Sequence, residues 1–460
     1  MSLPLLLYVF PFLLLACFLL YWAGARHAYA RRHPTEAGDP AAYDWHFFVP
    51  CRDEEAVIAT TVTRLRGDFP DGHVWVIDDA SDDLTAPIVT SLAERDPRVH
   101  LVSRHRPDAR IGKGAALNAA YAALDEHLAE HLDEHLAEHL ADTRDRSRVI
   151  VCVVDADGQV SPDALARVSG PDAFGDPEMG GVQIGVRMRN VEDERPLAHR
   201  GRLGNAYARL LIRMQDAEFA ASNTGMQLLR RRTGSVGLGG NGQFTRLTAL
   251  DRIAAAERRP WQQDALLEDY ELGLHMRLAG YRVTHVADTW VTQEALPYTR
   301  RFLTQRTRWA QGNIQCVRYT GRIVGSRHYR AAGVLESLYT FCQPLAHLAT
   351  LVLTAVMLVA LVTGGGAAEV LLAAWPLALA LAVVSIIPFL LWGPVYRREF
   401  APDRSRLKGL LWGFALWLYA YHLFIVSARG LVRLVRGRTG WAKTRRNAET
   451  AGVGPVATES

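Results

Sequence analysis

The chain has 460 residues, of which 49% are hydrophobic and 22% charged, with a formal net charge of +4. This length allows a sizeable catalytic domain with further elements, and so mild a charge argues against a nucleic-acid partner. The five cysteines are scattered without paired metal-ligand spacing, which favours reduced thiols, as in a cytosolic domain.

The first segment, residues 4–25, carries no charge and is long enough to span a bilayer. A signal peptide is the alternative, but no basic residue precedes the apolar run. Arg26, Arg31 and Arg32 follow it, so the positive-inside rule predicts a cytosolic location for the next domain. We therefore expect a transmembrane helix at 1–25 and a linker at 26–44.

Short apolar runs then alternate with amphipathic stretches. Strands are predicted at 45–49, 74–77, 99–102 and 149–154. This alternation predicts an α/β fold with a mainly parallel sheet, which binds ligands beyond the carboxyl ends of its strands. Polar residues follow the first two strands, at 50–55 and 78–83.

The fourth predicted strand leads into Asp155-Ala156-Asp157-Gly158. In extended backbone, residues two apart point the same way, so Asp155 and Asp157 face one cleft. Two carboxylates this close need positive charge between them, and a hard cation that also grips a diphosphate is the simplest solution. A strand that ends in a plain Asp-Gly turn is the alternative.

Residues 112–118 open a helix with Lys113 between two glycines, a plausible phosphate contact that lacks the P-loop spacing. The helix continues into two copies of Asp-Glu-His-Leu-Ala-Glu-His-Leu, at 125–132 and 133–140. Histidines four apart share a helical face and are able to bind zinc. A duplicated, solvent-exposed helix extension is the simpler interpretation, and we assign it no catalytic role.

The second half of the domain contains an arginine-rich amphipathic stretch at 198–232, which either covers the sheet or lies on the membrane. A glycine-rich loop is predicted at 239–246, and a strand at 282–286. Glu268 and Asp269 begin a helix that ends at Gly280, and capping alone accounts for such acidic residues.

Gln305, Arg308 and Trp309 share one face of a further helix. An amide, a guanidinium and an indole suit a sugar phosphate, and the same composition is typical of a helix at a membrane interface. Apolar runs follow at 338–362, 370–396 and 410–426. Three crossings would leave the arginine-rich tail outside, so either the charge rule fails there or one run is re-entrant or interfacial.

Together these stretches resemble the membrane-embedded inverting glycosyltransferases of glycosyltransferase family 2, which include cellulose, chitin, hyaluronan and poly-N-acetylglucosamine synthases. The likeness covers about residues 45–320. The motifs come in the family's order: the loop 50–54, Asp78-Asp79, Lys113-Gly114 with Asn118, Asp155-Ala156-Asp157 as D-x-D, Glu268-Asp269, and Gln305, Arg308 and Trp309 as Q-x-x-R-W.

The resemblance implies a GT-A-type, Rossmann-like cytosolic domain at 45–298 with a histidine-rich helical insertion at 124–142. It also implies interfacial helices at 299–333, transmembrane helices at 334–435 and a basic tail at 436–460, in a multi-pass protein of the plasma membrane. Mg2+ or Mn2+ is the expected cofactor, bound by Asp157 and Asp155, and Asp269 is the expected general base. The implied donor-binding residues are Pro50, Arg52, Glu54, Asp78, Asp79, Lys113, Asp155, Asp157 and Arg308. The implied acceptor-binding residues are Asn241, Gly242, Gln243, Glu268, Gln305 and Trp309.

The leading expectation is a processive synthase that uses a UDP-sugar to extend a β-linked polysaccharide and moves it through its own membrane helices. A short likeness at 440–445 to the ends of poly-N-acetylglucosamine synthases makes N-acetylglucosamine one candidate unit. One alternative is the addition of a single sugar to a membrane lipid, as by ceramide glucosyltransferases. Another is a non-catalytic membrane scaffold with a transferase fold. The expected partners are a UDP-sugar, a polysaccharide or glycolipid acceptor, and membrane lipid.

Overall fold

The fold is taken from a computed structural model that describes residues 3–135, 145–363, 369 and 375–438. The second half of the histidine-rich repeat, from residue 136 on, and the basic tail from residue 439 on lie outside the described residues.

One eight-stranded sheet forms the centre of the catalytic part. Its strands are β1 Asp44–Cys51, β2 His73–Asp78, β3 Val99–Ser103, β4 Val149–Val153, β5 Gln159–Val160, β6 Met179–Met188, β7 Gln243–Arg246 and β8 Arg282–Gln293, in the order β3-β2-β1-β4-β7-β6-β8-β5. Strands β1 to β4 pair in parallel, β6 pairs with β8 in parallel, and β7 runs antiparallel to both β4 and β6. The predicted α/β class with a mostly parallel sheet is confirmed.

The sheet differs from the prediction in its second half. β6 has no predicted counterpart, because Gly180, Gly181 and Gly185 interrupt its apolar pattern. The predicted loop at 239–246 is in part a strand, β7, whose Gln243 pairs with Val153 and Gln183. The strand predicted at 282–286 continues to residue 293.

Helices cover both faces of the sheet and connect it to an apolar helical part. They are α1 Leu3–Ala30, α2 Ile58–Asp68, α3 Thr85–Ala93, α4 Lys113–His135, α5 Ala164–Val168, α6 Arg202–Ala217, α7 Thr224–Thr233, α8 Leu247–Glu257, α9 Glu268–Leu278, α10 Thr299–Gln315, α11 Thr320–Val324, α12 Ala331–Thr363, α13 Trp375–Phe400, α14 Arg406–Ala420 and α15 His422–Val435. On one face of β1, Phe47 packs toward α2, and on the other Phe48 packs toward α4. Both rings are fully buried, which stabilises the fold by roughly 1.5–3 kcal/mol each.

The predicted amphipathic stretch at 198–232 forms α6 and α7, joined by a π-helical turn at Glu218–Asn223. This unit packs against α1 and α13, and Asp216 at the end of α6 is fully buried. Its carboxylate accepts hydrogen bonds from the Arg187 guanidinium of β6 and from the Tyr396 hydroxyl of α13 at 2.6 Å. The unit therefore connects the sheet to the apolar helices.

Three helical segments are long and apolar enough to cross a membrane: Phe12–Ala30, Ala331–Val356 and Arg406–Val435. The first helix runs to Ala30, so the predicted linker at 26–44 begins about five residues later than expected. The apolar run at 370–396 corresponds largely to α13. Within the residues that the structure describes, α13 is not one of the three segments long and apolar enough to cross a membrane. The backbones of α13 and α14 approach each other closely at Gly393, where an added Cβ would lie 2.1 Å from the Gly409 carbonyl oxygen.

Candidate active site

A cavity of about 510 Å³ lies at the carboxyl ends of β1 and β4 and extends to helix α12. All but three of the predicted site residues line it: Pro50, Arg52, Glu54, Asp79, Lys113, Asp155, Asp157, Asn241, Glu268, Asp269, Gln305, Arg308 and Trp309. Residues that are more than 250 positions apart along the chain thus share one cavity. The fold achieves this because consecutive parallel strands end at the same edge of the sheet.

Asp78, Gly242 and Gln243 lie outside the cavity wall. Both Asp78 carboxylate oxygens face the backbone N–H of Ser81 at 3.3 Å. The N–H of Gly242 donates to the Val153 carbonyl, and Gln243 is fully buried within β7. The expected donor contact of Asp78 and the expected acceptor contacts of Gly242 and Gln243 stay predictions, since in this structure Asp78 faces a turn N–H and the other two take part in sheet hydrogen bonds.

Lys113, at the start of α4, connects two parts of the cavity wall. Its ammonium donates to Asp155 Oδ1 and to the Gly240 carbonyl, both at 2.6 Å. Burial alone would lower the pKa of Lys113, but the carboxylates of Asp155 and Glu268 outweigh it, and the pKa is raised. Lys113 therefore remains charged at neutral pH. It ties the turn at residues 155–158, the aspartate turn, to the glycine-rich loop that contains Gly240.

Asp157, the second aspartate of this turn, is 2% exposed. Its Oδ2 accepts the backbone N–H of Glu294 at 3.0 Å, and Arg189 donates to its carbonyl oxygen at 3.3 Å. Arg189 also pairs with the Glu294 carboxylate at 3.0 Å. The end of β8 therefore holds the aspartate turn from the side opposite to Lys113.

Two amides fix the glycine-rich loop: Asn241, a predicted acceptor-binding residue, and Gln183, which is not among the predicted site residues. Asn241 Oδ1 accepts the backbone N–H of Asp155 at 3.2 Å, and its Nδ2 donates to Gln293 at 3.0 Å. Gln183 in β6 donates to the Asn241 carbonyl at 3.0 Å and accepts the Gly239 N–H at 2.7 Å. Gln183 is absent from the predicted site because β6, the strand that carries it, is not predicted, although a glutamine between Val182 and Ile184 is itself a signal of a buried polar role.

Glu268 and Asp269 occupy the first turn of α9, where carboxylates are stabilised by the helix dipole. Asp269 Oδ1 accepts the Tyr270 N–H at 2.7 Å. Burial, and then the charge of Asp269, raise the pKa of Glu268 to about 7. Burial also raises the pKa of Asp269, against the opposing charges of Lys113 and Arg308. The pair therefore holds a proton-accepting carboxylate whose affinity for protons is tuned toward neutral pH.

Trp309 is held in place by residues outside the predicted motif. The Arg306 guanidinium lies 4.3 Å from the Trp309 ring centre and pairs with both Glu218 oxygens, at 2.9 and 2.7 Å. Phe219 meets the indole edge-on at 6.1 Å, and the Tyr419 hydroxyl donates to Glu218. The indole is thereby fixed on the cavity wall as a flat apolar surface.

The far end of the cavity is formed by α7 and α12. Thr340 and Gln343 of α12 line it together with Arg230 of α7. Arg230 pairs with Glu336 at 2.7 Å, and Glu336 also accepts the Tyr21 hydroxyl of α1 at 2.8 Å. The cavity therefore continues from the carboxylates to α12, one of the candidate membrane helices, and Glu336 connects that helix to α1.

A sequence profile of the family described as glycosyltransferase like family 2 matches residues 43–312, which is more than half of the chain. The chain belongs to this family. It is thus a glycosyltransferase of the family-2 type, and the prediction of an enzyme is confirmed.

The glycosyltransferase is similar to several curated proteins over its catalytic part. Beta-monoglucosyldiacylglycerol synthase of Synechocystis sp. is 30% identical over 271 residues, or 58% of this chain and 47% of the relative. The protein of the same name from Trichormus variabilis is 28% identical over 271 residues, with 58% and 48% covered. The probable glycosyltransferase YdaM of Bacillus subtilis is 25% identical over 278 residues, with 58% and 54% covered. The chain spans about half the length of these relatives.

Among solved structures, the mannosyltransferase PcManGT from Pyrobaculum calidifontis, in complex with GDP-Man and Mn2+, resembles the glycosyltransferase with a TM-score of 0.54 at 18% identity. The match covers 91% of this chain and 95% of that one. It supports the GT-A-like fold. The predicted membership of glycosyltransferase family 2 is thus confirmed. The relatives described above do not include the cellulose, chitin, hyaluronan or poly-N-acetylglucosamine synthases that the sequence resembles.

The aspartate turn of this glycosyltransferase has the donor set that a hard divalent ion requires. Mg2+ and its relatives are held by one or two protein carboxylates together with phosphate oxygens of a substrate, at near-octahedral geometry. Asp155 and Asp157 supply two carboxylates within three residues, at the open end of the sheet where a diphosphate has room. The residues present therefore fit Mg2+ or Mn2+.

Proposed function

We propose that this glycosyltransferase transfers one sugar from a UDP-sugar to the hydroxyl group of a membrane lipid of the diacylglycerol class. The observation that carries the proposal is the single cavity that joins Asp155, Asp157 and Asp269 to Thr340 and Gln343 of a candidate membrane helix. The names of the glucosyldiacylglycerol synthases among its relatives support the same acceptor. The single-addition alternative thereby takes precedence over polysaccharide elongation.

The energetics of a lipid acceptor require such an opening. Removing an acyl chain from a bilayer costs about 0.8 kcal/mol per CH2 group, so a lipid with two long chains does not leave the membrane to react. The hydroxyl must instead enter the enzyme at head-group level while the chains remain among lipids or apolar helices. A cavity that ends on α12 offers this route.

Proton transfer from the acceptor is assigned to Asp269. As the acceptor oxygen attacks the anomeric carbon, its proton passes to the carboxylate of Asp269, and the bond between that carbon and the diphosphate oxygen breaks with its electron pair on UDP. One direct displacement inverts configuration, so an α-linked donor gives a β-linked product. The raised pKa of the Glu268 and Asp269 carboxylates makes this base effective near neutral pH.

Departure of UDP needs stabilisation of negative charge. When bound by Asp155 and Asp157, Mg2+ or Mn2+ supplies that charge neutralisation. Arg308 lies close enough to the acid pair to lower the proton affinity of both carboxylates, and it adds a fixed positive charge on the same side of the cavity. Trp309 offers a ring face on which a sugar stacks, and Gln305 offers an amide for its hydroxyls.

The test uses purified full-length protein in nanodiscs with and without diacylglycerol, Mg2+ or Mn2+, and radiolabelled UDP-glucose or UDP-N-acetylglucosamine, with GDP-mannose as the comparison donor. We expect UDP release that requires diacylglycerol, with the label extracted into chloroform. Label in an aqueous or insoluble polymer, formed equally well without diacylglycerol, would contradict the proposal and restore the polysaccharide hypothesis.

A further inference from the structure

A cluster of histidines lies at the edge of the sheet remote from the carboxylate cavity. His73 is the first residue of β2, His100 lies in β3, and His127 lies on α4 at the first histidine of the repeat. One ring nitrogen from each lies within 4.8 Å of the corresponding nitrogen of the other two. All three side chains are half-buried.

The ring positions match those of imidazoles around one ion. The ring centres are separated by 5.3 Å for His73 and His100, 5.4 Å for His73 and His127, and 5.1 Å for His100 and His127. Zn–N bonds of about 2.0–2.1 Å in tetrahedral geometry place imidazole centres roughly 5 Å apart. The near-equal triangle is the arrangement that a bound ion needs.

The two rings on the strands already point nitrogen to nitrogen. His73 Nδ1 and His100 Nε2 are 3.0 Å apart, so a proton on one ring meets the lone pair of the other, and a bound metal ion would take the place of that proton.

Surrounding groups orient the cluster. Trp75 stacks on His100 at 4.0 Å and meets His127 edge-on at 5.4 Å. The Trp75 indole N–H donates to His46 Nδ1 at 3.1 Å, which leaves His46 as a neighbour of the triad rather than a fourth ligand through that nitrogen. Aromatic packing of this kind fixes ring directions, as the groups around known metal ligands do.

We propose that His73, His100 and His127 form a binding site for a borderline divalent metal ion, with Zn2+ as the first candidate. Three imidazole nitrogens select Zn2+ and its transition-metal neighbours over Mg2+, which prefers oxygen. The site is separate from the aspartate turn: along α4, Lys113 and His127 are roughly 20 Å apart at 1.5 Å per residue. The ion fastens α4, which carries Lys113 at its other end, to β2 and the edge strand β3.

The test measures metal content and coordination in full-length protein in detergent, with any affinity tag cleaved and with excess Mg2+ to occupy carboxylates. The variants are H73Q and H100Q, which leave every histidine of the repeat in place. H33Q, which changes an exposed histidine of the linker, is the matched control. A chain lacking residues 133–140 removes the second repeat without changing the triad.

We expect wild type, H33Q and the shortened chain to retain one equivalent of zinc that H73Q and H100Q lose. When Co2+ replaces zinc, wild type shows the strong visible absorption of a tetrahedral nitrogen-rich site, and H73Q and H100Q do not. Zn2+ raises the melting temperature of wild type but not of these two variants. Equal zinc in wild type, H73Q and H100Q would overturn the proposal, and so would zinc lost only with residues 133–140. Because the cobalt spectrum is read on wild type, its absence overturns the proposal even if a variant fails to fold.

Discussion

The sharpest test of the cavity geometry is the replacement of Gly240 by alanine. A Cβ atom built at Gly240 lies 3.1 Å from Lys113 Nζ and 3.2 Å from Asp269 Oδ2. Ordinary contacts of such an atom begin at 3.4 Å, so both charged groups must move by a few tenths of an ångström. The backbone at Gly240 has no left-handed φ, so the new side chain acts through contact and not through strain.

The size of the effect follows from what these two groups do. Lys113 holds the aspartate turn, and Asp269 is the proposed base. A misplacement of about 1 Å in reacting groups costs about 10²-fold in rate, so smaller shifts of two groups together predict a loss of kcat on the order of tenfold or more.

Gly239→Ala is the matched control, because its nearest neighbour, Gln183 Oε1, would be at an ordinary 3.5 Å. The assay compares kcat and KM for the UDP-sugar, with melting temperature as the check on folding. We expect Gly240→Ala to lose kcat while Gly239→Ala stays close to wild type. Equal activity of the two variants, or equal damage in both, would refute the reasoning.

Four further outcomes are expected. Asp269→Asn lowers kcat by about 10²–10⁴-fold while calorimetry finds UDP-sugar affinity largely unchanged, because the amide cannot accept the acceptor's proton; loss of donor binding in a folded variant would speak against this role. Asp157→Asn moves the metal titration of activity to higher concentration, and an unchanged titration would remove Asp157 as a ligand. Burial raises the pKa of Asp269, the proposed base, so the fall of kcat/KM at acid pH begins at a higher pH than an ordinary aspartate would give. In wild type, Glu268, whose pKa is raised to about 7 by burial and by the charge of Asp269, adds a second step to the pH profile near neutrality; Glu268→Gln removes this step, and identical pH profiles would contradict the coupling. Gln343→Trp raises KM for diacylglycerol but not for the UDP-sugar, whereas Cys342→Trp, at an exposed neighbouring position outside the cavity lining, changes neither.

Local patterns were enough to predict the first half of the sheet. The apolar runs that became β1, β2 and β4 are buried on both faces, so each stands out from its polar surroundings without any tertiary information. The positions of Asp155 and Asp157 follow directly, because a parallel strand delivers whatever comes next to the carboxyl edge. The helix that begins at Glu268 and Asp269 is predicted from its local pattern, whereas a role for the two carboxylates comes only from the resemblance to family 2.

The remaining parts depend on contacts between distant segments. β7 is a strand because β4 and β6 lie on either side of it. The glycine-rich residues that precede β7 give no local sign that a strand follows. Gln183 holds the glycine-rich loop only after β6 has been placed, and Arg306 orients Trp309 only through Glu218, 88 residues away. The convergence of His73 and His100 on His127 likewise has no trace in the four-residue histidine spacing, since only one of the three belongs to the repeat.

The measurement that tests the central claim most directly is the structure of the product made by purified protein in diacylglycerol-containing nanodiscs. Mass spectrometry counts the sugars on each lipid, and NMR reads the anomeric configuration. One sugar in β-linkage on the glycerol hydroxyl is the predicted result. A chain of many sugars, or an α-linked product from an α-linked donor, would contradict the account.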